Sequence, residues 1–174
     1  MQWRTHVAGG IASLWLLEFV LPSLPLEVLA PMIGAVAFGA LVPDLDATRS
    51  KIASLGIGGI QPFSPVSTFV NRTLGHRGFL HSPAGFGLFG LLTLPLVSVV
   101  GGLVWSALCL GYASHLALDA CTRSGIPLWP LRRRGHLLPK PLRLVTGSLA
   151  EEVCLSLLGM VDMLFLLRHL ARSN

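Results

Sequence analysis

Charge is scarce in this chain. Only 12% of its 174 residues are Asp, Glu, Lys or Arg, whereas 52% are hydrophobic and the mean hydropathy is +0.69. That is too little polar surface to cover a water-soluble domain of this length, which argues against an ordinary globular protein and for a membrane protein. Acidic residues are the scarcer sign, 8 against 13 basic ones. In a soluble protein the net charge of +5 would suggest nucleic acid or anionic lipid; in a membrane protein it reports loops retained in the cytoplasm. Cysteine is limited to Cys109, Cys121 and Cys154. An odd number without paired spacing argues against a disulfide framework or a zinc ribbon and leaves buried thiols. Internal repeats and low-complexity segments are absent. So is a convincing signal-peptide cleavage site: Arg4 precedes an apolar stretch that begins His6-Val7-Ala8-Gly9-Gly10 and contains Glu18, which reads as a retained first helix.

What the chain has in quantity is apolar runs. A first helix is expected from Thr5 to about Leu21, and a second run stays uncharged from Val28 to Pro43, rich in small residues that suit close packing in lipid. Residues 44–81 change character, with Gly56, Gly58, Gly59, Pro62 and Pro65 among basic residues. They read as an extramembrane loop with a short helix near Thr68 to Leu74, and a loop that long is usually functional or disordered. Ser82 to Ser114 carries no charge, and Gly101-Gly102 near its middle predicts a hairpin of two short helices rather than one long one. A second loop, 122–149, holds Trp129, the triple arginine 132–134 and several prolines, a composition suited to lipid headgroups. The last apolar stretch, about Leu149 to Leu170, contains Glu151, Glu152 and Asp162 and is the least secure span. The expected fold is therefore all-α: a polytopic bundle of four to five short transmembrane helices forming one domain over 1–174.

Letting the five apolar segments alternate across a membrane puts the N-terminus and loops 44–81 and 122–149 on one side. That side then holds every Lys and Arg except Arg168 and Arg172, so it is expected to be cytoplasmic in an inner (plasma) membrane. The same alternation gathers ligand-type residues. His6 starts the first segment, Asp44 and Asp46 end the second, His76 and His81 precede the third, and His115 with Asp119 ends the fourth. The topology came from hydropathy and charge alone, so this meeting is independent of it.

His115 and Asp119 are four apart and project from one helix face, where both can bind one metal or the acid can orient the imidazole. Taken alone, the pair is equally a helix-end histidine with an acid partner. Asp44 and Asp46, if extended, point the same way and offer oxygens to one or two cations. His76 and His81, five apart, need a loop or helix start to converge, and His6 by itself means little. Together the seven form a candidate site for a divalent metal, Zn before Mn or Fe, as one or two ions, at the cytoplasmic helix ends. Arg77, between two of the histidines, is suited to gripping a phosphate. Ser82 is placed to cap the third span, with Pro83 in its first turn.

With these residues in view, the chain resembles the YdjM family of inner-membrane proteins, described as LexA-binding and as metal-dependent hydrolases. The resemblance rests on Thr5-His6, on Gly39-Ala40-Leu41-Val42-Pro43-Asp44-Leu45-Asp46, on His76-Arg77-Gly78 with His81-Ser82, and on Gly111-Tyr112 through His115, Asp119, Thr122, Gly125 and Trp129-Pro130. The HxxxD at His115 and Asp119 is also distantly similar to the helical zinc-dependent phospholipases C. The resemblance implies a metal site and a hydrolase. Joined to the residues, it gives the leading expectation: a membrane-embedded hydrolase cleaving a phospholipid or other lipid-linked phosphoester by metal-activated water, with Arg77, His81 and Asp119 as catalytic residues. The alternative is a non-enzymatic membrane adaptor binding a regulatory protein through its basic loops. A transporter would place polar residues at mid-membrane depth rather than at helix ends, and nucleic acid is not expected as a partner because the basic residues are interrupted by proline beside the membrane.

Overall fold

A computed structural model describes residues 1–17, 24–48, 50–56, 60–74, 78–131 and 133–173. Its helices are α1 (Trp3–Leu17), α2 (Leu26–Gly39), α3 (Phe63–Leu74), α4 (Pro83–Thr93), α5 (Val97–Val100), α6 (Gly102–Ala120) and α7 (Leu149–Ser173). A short antiparallel ladder pairs β1 (Ile126–Pro127) with β2 (Arg134–Gly135). The fold is all-α in character, and four stretches are long and apolar enough to cross a membrane: Leu26–Asp46, Pro83–Val100, Gly102–Ala120 and Leu149–Arg172. The end of the first expected span, 18–21, lies outside the described residues.

Local chemistry sets these boundaries. Ser82 caps α4 by accepting a hydrogen bond from the Gly85 amide at 3.1 Å, and Pro83 occupies the first turn, where its missing N–H costs nothing. Pro95 cannot donate within a helix, and the chain tightens there into a 3-10 turn, Leu94–Leu96, before α5. Gly101, at φ 83°, makes the expected hairpin bend in a region that residues with a Cβ avoid.

The bundle is tightest where α2 crosses α6. A Cβ on Gly39 would sit 2.1 Å from the Leu108 carbonyl oxygen, and one on Gly111 would sit 2.1 Å from that of Val36. Small residues let the two backbones touch, the usual device for helix association in lipid. One core cluster, with Leu14, Trp15, Leu29, Met32, Val36 and Ala107, lies along the α1–α2–α6 contact. A second, with Leu41, Val42, Ile52, Tyr112 and Leu116, lies at the other end of that crossing. The α4–α5 stretch and α7 present most of their apolar surface outward, only 6% of each span being buried. Surface of that size in contact with water would be a liability; in lipid it needs no cover.

Two local expectations change. The loop helix α3 begins at Phe63, five residues before Thr68, and is docked by Asn71 Nδ2 donating to the Asp46 carbonyl at 2.6 Å. Asp44 and Asp46 lie in a 3-10 turn, Val42–Asp46, not in an extended segment. Pro43 near its start is compatible with that tight turn, and the two carboxylates consequently do not point the same way.

Candidate metal centre

Four chain segments meet at one end of the bundle. His6 comes from the second turn of α1, Asp44 and Asp46 from the 3-10 turn after α2, His81 from the turn Phe79–His81 before α4, and His115 with Asp119 from the last turns of α6. His6 Nε2 lies 3.4 Å from Asp119 Oδ1, and His115 Nε2 lies 3.7 Å from Asp119 Oδ2. His81 Nε2 lies 3.3 Å from His115 Nε2, 3.6 Å from Asp44 Oδ1 and 3.8 Å from Asp119 Oδ2. Two overlapping ligand sets result, His6 with His115 and Asp119, and Asp44 with His81 and His115. His76 and Arg77 lie outside the described residues.

The outer nitrogens of two imidazoles are already committed. His115 Nδ1 is 2.7 Å from the Ala40 carbonyl oxygen, which can only accept, so Nδ1 carries the proton and Nε2 keeps its lone pair. His81 Nδ1 is 3.0 Å from Asp46 Oδ2 and donates to that carboxylate. Asp46 therefore stands behind His81 and aims its Nε2 inward, the carboxylate–histidine arrangement that orients metal ligands. Tyr112 supports the turn carrying His81 by donating its hydroxyl to the Leu80 carbonyl at 2.5 Å.

The cluster is buried and negative. The side chains of His6, Asp46, His81, His115 and Asp119 are at most 2% exposed, and Asp44, at 21%, is where the centre opens. Burial works against a charged imidazole at His81. Hydrogen bonds to Asp44 and Asp46, and the charges of Asp46 and Asp119, outweigh it and raise the group to about 9. The cluster thus favours a positive charge where His81 faces Asp44 and Asp46. The Met1 ammonium, 2.7 Å from Asp119 Oδ1, answers the same field. His6 stacks on His115, with ring centroids 3.6 Å apart, and its buried Nδ1 has no hydrogen-bond partner among the described residues.

One member of this arrangement is invisible to a search for ligand residues. Glu151, buried in the first turn of α7, accepts from the Gln2 amide at 2.5 Å, the Thr5 hydroxyl at 3.1 Å and the Gly147 amide at 2.6 Å. It ties the start of α1, and hence His6, to α7. The sequence signal was Ser148-x-x-Glu151, a capping-box pattern that marks a helix start but not the distant partner. Outside the centre, Trp129 lies edge-on to Phe79 at 5.2 Å, which brings the hairpin Ile126–Gly135 beside the turn holding His81.

The donor set suits a cation. Buried carboxylates and imidazoles, two of the latter held by Asp46 and Ala40 with Nε2 turned inward, match borderline divalent metals rather than a thiolate or all-oxygen site. His115 decides how the two overlapping sets combine. Its Nδ1 is occupied and its Nε2 has one lone pair, so the sets share a single ligand atom and cannot each hold an ion through His115.

A family model described as YdjM inner membrane protein matches residues 1–170. The chain is 36% identical over 160 residues, 90% of its own length and 88% of the relative's, to "Uncharacterized protein YvsG" of Bacillus subtilis (strain 168). It is 32% identical over 123 residues to "Inner membrane protein YdjM" of Escherichia coli (strain K12) and of Shigella flexneri, matching 67% of this chain but 58% of theirs. No solved structure matches the chain. The match over nearly the full length, together with the apolar helices, identifies the chain as a member of the YdjM inner membrane protein family.

Proposed function

We propose that this protein is a membrane-embedded, metal-dependent hydrolase acting on a phospholipid or another lipid-linked phosphoester at the cytoplasmic face of the inner membrane. The observation that carries the reading is the convergence of two overlapping ligand sets, His6 with His115 and Asp119 and Asp44 with His81 and His115, all buried but Asp44, with Asp46 and the Ala40 carbonyl fixing two of the imidazoles from behind. A purely structural ion pair has no use for three imidazoles and three carboxylates in one pocket, since burying charge is costly unless something compensates it.

In this reading Asp44, His81, His115 and Asp119 would hold one divalent ion, zinc first and Mn or Fe as alternatives, and His6 would complete the set through Asp119. When bound, such a cation polarises a phosphoryl oxygen and acidifies a water. The protein's own residues do the rest. Asp46 holds the proton on His81 Nδ1 so that Nε2 stays inward. Asp44, the accessible carboxylate, meets the incoming substrate. Arg77, from the segment before Gly78, neutralises charge on the phosphate. The lipid substrate follows from location: helix ends and the hairpin bearing Trp129 frame the centre, so headgroups reach it first.

The test is turnover of labelled phosphatidylglycerol and of a lipid-linked phosphoester by detergent-purified protein. The account expects hydrolysis that a chelator abolishes, that zinc or manganese restores, and that His115→Ala lacks. Hydrolysis indifferent to chelator would contradict it.

A further inference from the structure

The metal centre has an apolar neighbour. A groove of about 330 Å³ runs between α2, α3 and α4, and among the described residues every one on its walls is hydrophobic or glycine. Phe63 of α3 and Leu88 of α4 both line it. Its lining also includes Val42 and Leu45, which bracket Pro43-Asp44, and Leu80, the residue before His81. The groove is thus built in part by chain neighbours of two candidate ligands, and among the described side chains of the centre Asp44 is the one with appreciable exposure. The α4 wall belongs to the outward-facing span Pro83–Val100, and α3 turns Val66 and Phe69 outward beside it, Phe69 being 68% exposed. The groove therefore lies between the outward-facing span and the chain segments that carry Asp44 and His81.

We propose that this groove is an acyl-chain subsite, taking one hydrocarbon chain of a membrane lipid and presenting that lipid's polar head to Asp44. A peptide or a sugar would bury hydrogen-bonding groups against walls that cannot answer them, whereas a hydrocarbon chain leaves nothing unmet. Lipid tails are as apolar as the groove, so little hydrophobic energy is gained when a chain leaves the bilayer for it. The subsite orients the substrate instead, holding the scissile head at a fixed depth. What happens to the head rests on the hydrolase reading above; the seat for the chain does not.

The experiment uses the full chain in nanodiscs of phosphatidylethanolamine and phosphatidylglycerol containing a trace of phosphatidylglycerol with a diazirine in the middle of one acyl chain. After irradiation, cross-links are mapped by mass spectrometry, and metal content is measured on the same samples. Expected is labelling at Leu45, Phe63 and Leu88 several-fold above that at Met163 and Leu167, which lie on the exposed face of α7. Leu88→Trp, which fills the groove, should remove the excess. Leu91→Trp, on the same helix at a position 67% exposed and outside the groove, should keep it. Val70→Trp blocks the groove from the α3 wall if the first variant does not fold. Equal labelling of groove and α7 would mean bulk lipid contact only and would overturn the subsite. Groove labelling in protein without metal would support the subsite and count against the hydrolase; metal with uniform labelling would do the reverse.

Discussion

At the scale of single residues, each inward imidazole depends on what stands behind it. Asp46 holds His81 by Nδ1, and Ala40 holds His115 by its carbonyl. Removing such a support typically lowers metal affinity by about 10–100-fold without abolishing binding. Asp46→Asn should therefore titrate with zinc against a chromophoric chelator in that weakened range, and His81→Ala should fall well below it. Equal affinities for Asp46→Asn and the parent would mean that Asp46 is not a positioning residue. Glu151 makes a prediction of a different kind. Glu151→Ala leaves two backbone amides and a hydroxyl without their acceptor, at about 1–3 kcal/mol for each buried group, so the detergent-solubilised protein should melt at markedly lower temperature. How legible these residues were follows from what each carries in its type. His115 and Asp119 declare themselves by a spacing of four on a helix. The Ala40 carbonyl carries no signature, because every residue has one, and Glu151 meets its partners Gln2 and Thr5 from the far end of the chain.

At the scale of elements, the α2–α6 crossing positions Asp44 and Asp46 against His115 and Asp119. Gly39→Val and Gly111→Val each drive a side chain into a backbone carbonyl, so either should lower the unfolding temperature and reduce bound metal together. Gly87→Ala on α4, where nothing among the described residues lies within 4 Å of the added carbon, should be tolerated and serves as the control, with a gain of up to about 1 kcal/mol from helix propensity. The small residues of α2 were readable as a close-packing surface. The 3-10 turn after it was not. Pro43 announces that the helix ends, but not whether the next residues extend or tighten. In the turn they form, Asp46 lies 3.0 Å from His81 Nδ1 and Asp44 3.6 Å from its Nε2, a partner 35 residues away from Asp46 that local sequence does not reveal.

At the scale of the whole molecule, hydropathy made the long apolar helices legible, because lipid imposes long uncharged runs and little else can produce them. His6, Asp44, His81 and His115 meet at one end of the bundle they form. The C-terminal stretch was the open question, since Arg168 and Arg172 run against the charge bias. It forms one unbroken helix, Leu149–Ser173, of spanning length. A crossing α7 predicts opposite results for two alkaline phosphatase fusions: inactive when inserted within 136–146, active when joined after α7. Activity of both, or of neither, would mean that α7 does not cross.

The central claim is that the convergence at the helix ends exists to hold a metal. Elemental analysis of detergent-purified protein, beside a His81→Ala, Asp119→Ala double variant shown to be folded by circular dichroism, tests it most directly. The account predicts close to one equivalent of zinc, manganese or iron in the parent and none in the variant. A parent that takes up no divalent metal even when dialysed against it would contradict the account.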